Sequence, residues 1–106
     1  MNDNMHIAEQ ILQQLGGTNR LTIMTGAKDF MAIDNGVQFR IGGGANERIN
    51  AIRIVLNSLD TYDVEFGRIY KSKGMIEYDE KQRAHGIYND MLVSLIERTT
   101  GMYLSL

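Results

Sequence analysis

The 106-residue sequence contains no cysteine, no proline and no tryptophan. Without cysteine there is no disulfide scaffold, no Cys-ligated zinc and no thiol nucleophile. No apolar run approaches the roughly 20 residues that cross a bilayer, so no membrane association is expected. Met1 to Gln10 is polar and has no apolar core of a signal peptide. A cytoplasmic protein is the expectation. Charge of one sign is also lacking. Eleven bases stand against thirteen acids, a net −2, which gives no strong whole-molecule attraction to nucleic acid or an anionic membrane. The charge is unevenly spread, with residues 20–73 mildly basic and both ends acidic.

What is present is patterned for a single α+β domain spanning 1–106. Met5, Ala8, Leu12 and Leu15, with Ile7 and Ile11 beside them, predict a helix over 5–15, with Asn4 as N-cap and Gly16-Gly17 as its stop. From Arg20 the period changes. Leu21 and Ile23 alternate with Thr22 and Met24 as in a strand, and a second strand follows over 28–33 with Phe30 and Met31 as inward anchors. Asn35-Gly36 predicts a type I′ hairpin turn leading into Val37, Phe39 and Ile41. Gly42-Gly43-Gly44 reads as a mobile connection. Ile49–Leu56 and 61–70 are strands. In the first, Ile52, Ile54 and Leu56 oppose Ala51, Arg53 and Val55; in the second, Tyr62, Val64 and Phe66 oppose Asp63 and Glu65, and Gly67 reads as a kink. Met75–Tyr78 is a short extension. Ile87, Met91, Leu92, Leu95 and Ile96 predict a second helix ending at Thr100-Gly101. The expected architecture is helix, antiparallel meander of four to five strands, helix. Both helices lie on one sheet face in a two-layer sandwich, and the open edges make a homodimer plausible.

No catalytic constellation emerges, and neither a cofactor nor a metal is expected. The glycine run lacks the Gly-Lys-Ser/Thr of a phosphate loop. Asp60, Asp63 and Glu65 are oxygen-rich enough for Mg²⁺ but have no companion Lys or His, which leaves a metal-dependent hydrolase a remote alternative. His6 and His85 stand at the openings of different helices without ligand spacing. The segment Tyr62–Tyr70 is dense in Tyr and Arg, residue types enriched at interfaces, so Asp63, Glu65, Arg68 and Tyr70 are the candidate protein-binding residues. Arg40, Arg53, Lys71 and Lys73 form the alternative, a nucleic-acid surface on a sheet face.

Met24-Thr25-Gly26-Ala27-Lys28, the block Leu56-Asn57-Ser58-Leu59-Asp60-Thr61-Tyr62-Asp63-Val64-Glu65-Phe66-Gly67-Arg68, and Gly86-Ile87-Tyr88-Asn89-Asp90-Met91-Leu92 resemble a family of small uncharacterised proteins of phages, prophages and mobile elements. The resemblance covers nearly the whole chain. It implies context and not a reaction: an accessory protein in a bacterial host cell that acts by binding a host or phage protein. An anti-CRISPR-like inhibitor of a defence system is the leading expectation.

Overall fold

The structure, a computed structural model, describes residues 3–105. Helix α1 (Asp3–Gln14) and helix α2 (Thr18–Thr25) precede five strands: β1 (Lys28–Ile33), β2 (Gly36–Arg40), β3 (Ala51–Leu56), β4 (Tyr62–Ser72) and β5 (Met75–Ile87). Helix α3 (Leu92–Thr100) closes the domain. The strands form one antiparallel meander in sequence order. Among the described residues, no helix is long and apolar enough to cross a membrane.

The alternation read along β3 and β4 sets the core. Ile52, Ile54, Tyr62, Val64 and Phe66 are buried on one sheet face, joined by Val37 and Phe39 of β2. The helices cover that face with Ala8, Ile11 and Leu15 of α1, Leu21 of α2, and Leu92, Leu95 and Ile96 of α3, in one contiguous cluster. Each fully buried Leu or Ile contributes roughly 1.5–3 kcal/mol. The α+β sandwich expected from the sequence is therefore the observed fold.

Several local expectations are corrected. Residues 18–25 are helical, not extended. Leu21 and Thr25, four residues apart, are buried on one helix face, whereas Ile23 is 81% exposed. A short apolar run fits either period, and here local bonds decide it. The Thr25 hydroxyl donates to Leu21 O (2.6 Å), the Thr22 hydroxyl donates to Ala27 O (3.0 Å), and left-handed Gly26 ends the helix. Asn4 lies inside α1, which begins at Asp3. Its Oδ1 accepts the Asn35 amide (2.9 Å), which ties α1 to the β1–β2 turn. In that turn Ile33 pairs with Gly36, and Asn35 carries the positive φ of 58°. Gly36 is needed for a different reason: a Cβ there would stand 2.0 Å from Ile54 O on the neighbouring strand. Met31 points out at 57% exposure, because a bulge between Lys28 and Met31 shifts the register; Phe30 packs on Phe39 with centroids 5.5 Å apart.

The largest correction is β5. Residues 79–87, the last of which was expected to open the second helix, extend the strand that begins at Met75, and Ile87 pairs with Tyr62. The helix begins only at Leu92, and Met91 is 49% exposed. The strand is polar because it is an edge with little packed against it, and its charges discourage further pairing.

Two stability outcomes follow. Ile23→Asp should change stability by less than about 0.5 kcal/mol, while Leu21→Ala should cost about 2–5 kcal/mol, measured by urea unfolding. A large cost at Ile23 would reinstate the strand. Gly36→Ala should cost about 2 kcal/mol or more through backbone overpacking.

Candidate functional site

One end of the sheet is cationic. Lys28 pairs with Arg40 across β1–β2, Arg40 with Ala51 across β2–β3, and Ala51 with Gly67 across β3–β4, which brings Arg68 to the same end. The connection 41–50 closes over this end and is anchored, contrary to the expectation of a mobile glycine run. The Gly42 amide donates to Thr25 O (2.8 Å), the Ile41 amide donates to Asn50 O (3.0 Å), and Ala45 and Ile49 are buried. The Asn50 side chain extends the ladder, donating to Ile69 O (2.9 Å) and accepting its amide (2.7 Å). The result is a concavity of about 600 Å³ whose charged lining is Lys28, Arg40, Arg48 and Arg68, with Gly42–Gly44 along it. None of these four bases makes an ion pair with another described residue. Glu47, next to Arg48, accepts a hydrogen bond from Gln82 on β5 instead of neutralising the site.

The sheet face away from the helices carries a polar ladder. Arg53 donates to Gln38 Oε1 through Nε (3.2 Å) and Nη2 (2.9 Å) and pairs in register with Glu65. Glu65 accepts the Tyr78 hydroxyl (2.6 Å) and meets Arg83 at 3.4 Å, and Arg83 also contacts Glu80. Burial and the Glu65 hydrogen bond push the Tyr78 hydroxyl well above its usual range. The Tyr78 side chain lies over Gly67, where any Cβ would clash with its hydroxyl oxygen and the adjoining ring carbons. Asp63 accepts from the Asn57 amide (3.1 Å) and Gly86 N–H (3.3 Å) and sits 3.5 Å from His85. Partial burial raises the Asp63 carboxyl, but those bonds outweigh it and leave its pKa below the ordinary value of 3.8.

The four candidate protein-binding residues are thus divided. Asp63 and Glu65 are engaged within the open face, while Arg68 stacks on Tyr70 at 5.1 Å and borders the cationic end. The alternative set divides too: Arg40 joins the concavity, Arg53 belongs to the ladder, and Lys71 and Lys73 lie along the β4–β5 hairpin outside the concavity. Asp60 is a left-handed turn residue (φ 61°) in a loop organised by Asn57, whose Oδ1 accepts from Leu59 and Thr61 amides. Among the described residues no three His, Asp or Glu side chains are placed to hold a metal. His85 lies on β5 and not at a helix opening. Lys28 and Arg48 went unread in the sequence, although bases flank the glycine run on both sides. Ile76 and Tyr78 lie within the expected extension Met75–Tyr78, but no motif there marks them as site residues.

Beyond the β3 end at Ala51, strands β4 and β5 continue as a two-stranded ribbon, residues 68–79. At its root lies a groove of about 300 Å³ with Ala51, Ile69, Ile76 and Tyr78 on its walls. Met75 (65% exposed) and Ile76 (69%) face solvent.

No family model matches the chain, and no curated protein or solved structure is significantly similar to it.

A depressed carboxyl stabilises the fold fully above its unfolded value and loses that contribution as pH falls through the folded value. The thermal midpoint should therefore drop as pH falls from about 5 through 3.8 and below, and Asp63→Asn should flatten that drop. An unchanged acid limb in Asp63→Asn would remove Asp63 from this role.

Proposed function

We propose that this chain is a non-catalytic accessory protein that works by binding another protein through the β4–β5 ribbon. The observation that carries the reading is apolar surface where a small domain has least reason to keep it. Ile76 and Tyr78 are exposed together on one face of a ribbon that leaves the sheet, beside a groove walled by Ala51 and Ile69. Exposed apolar groups clustered within a polar rim mark interaction sites. Here the rim is Gln38, Arg53, Glu65 and Glu77. Because Glu65 and Arg53 are already held by Tyr78, Arg83 and Gln38, the groove is preorganised, which lowers the ordering cost of association. The resemblance to phage and mobile-element proteins supports a bacterial host protein as partner, with inhibition of a defence complex as the outcome.

The reading is tested by affinity capture from nuclease-treated host lysate with wild type and Ile76→Glu. Ile76 is exposed, so the charge should leave folding intact, and a stoichiometric partner should be lost by tenfold or more, about 1.4 kcal/mol. A partner retained equally by both proteins, or one held only through nucleic acid, contradicts it.

A further inference from the structure

We propose that the concavity around Gly42–Gly44 is a second, independent site, one that binds phosphate groups carried by a nucleotide or a nucleic-acid strand. Four bases meet there, Lys28 from β1, Arg40 from β2, Arg48 from the connection and Arg68 from β4. Three are arginines, whose planar guanidinium matches a phosphate through two parallel hydrogen bonds. No described carboxylate pairs with any of them, so their mutual repulsion is left for an anion to relieve. Their placement is built by the fold. Glu47 and Arg48 both hold positive φ (54° and 59°), a costly backbone for two consecutive non-glycine residues. That backbone sends Glu47 to Gln82 and leaves Arg48 in the concavity. Arg68 is steadied by the Tyr70 ring.

The glycines supply the rest. A Cβ at Gly43 or Gly44 would meet nothing within 4 Å, so the backbone there is open to approach. Neither amide makes a hydrogen bond with another described residue. Backbone N–H donors beside Lys and Arg are the recurring chemistry of phosphate recognition. The net charge of −2 does not oppose this, because the concavity itself is lined by no acid and an acidic surface elsewhere restricts a polyanion to this end.

The test is fluorescence anisotropy with a labelled single-stranded 12-mer, with pyrophosphate as competitor. Four phosphate contacts on a single strand predict about 50-fold weaker binding between about 50 and about 200 mM salt. Lys28→Glu with Arg48→Glu, both exposed positions, should weaken binding more than about tenfold. Lys71→Glu with Lys73→Glu carries the same charge change outside the concavity and should stay within about twofold. Lys28→Gln with Arg48→Gln, checked for native circular dichroism, decides the case if the Glu variant misfolds. Displacement by millimolar pyrophosphate assigns the site to small phosphate ligands; a strand that resists displacement assigns it to nucleic acid. If neither ligand binds at about 50 mM salt, or both double variants lose binding equally, the proposal is overturned.

Discussion

Everything in this fold follows from a sheet that can be covered on only one side. The three helices each carry one apolar face, and together they supply enough side chains for one layer over Val37, Phe39, Ile52, Ile54, Val64 and Phe66. Nothing in the described residues covers the opposite face. That face is stabilised by polar cross-strand contacts instead, running from Gln38 through Arg53 and Glu65 to Tyr78 and Arg83. Contacts of this exposed kind contribute only tenths of a kcal/mol to about 1 kcal/mol each, so the open face adds little to stability. Its arrangement serves geometry: it holds the Tyr78 ring on Gly67 and so fixes the ribbon where it leaves the sheet.

The two proposed surfaces share one structural joint. Asn50 ends the connection 41–50 and, through both atoms of its amide, grips Ile69 at the root of the ribbon. On one side of that joint lie Arg40, Arg48 and Arg68; on the other lie Ile69, Ile76 and Tyr78. Arg68 and Ile69 are adjacent in β4 and belong to different surfaces, which is the period of a strand applied at a sheet end.

Strands with one face in the core were legible, because Ile52-Arg53-Ile54 and Tyr62-Asp63-Val64-Glu65-Phe66 alternate cleanly and nothing competes with period two. The C-terminal helix was legible from Leu92, Leu95 and Ile96. Helix α2 was not, since in Leu21-Thr22-Ile23 the apolar run is too short to separate the periods, and the hydroxyl bonds of Thr22 and Thr25 that favour the helix are invisible in composition. β5 was not legible because an edge strand needs no buried face, and Asp79–Arg83 carries no apolar signal. The role of Gly36 was misread: the constraint is a neighbouring carbonyl, which no local turn rule contains. The cationic end was partly legible through Arg40 and Arg68, but Lys28 and Arg48 meet them only because bulge, glycine loop and strand register converge.

The most direct measurement of the central claim, that the uncovered sheet ends in two chemically distinct surfaces, is a map of backbone amide chemical shifts by NMR during titration with a short oligonucleotide. The account predicts that the largest changes fall at Gly42–Gly44, Arg48 and Arg68, while Ile76 and Tyr78 stay nearly still. Changes centred on the ribbon and the open face, with the glycine loop silent, would contradict it.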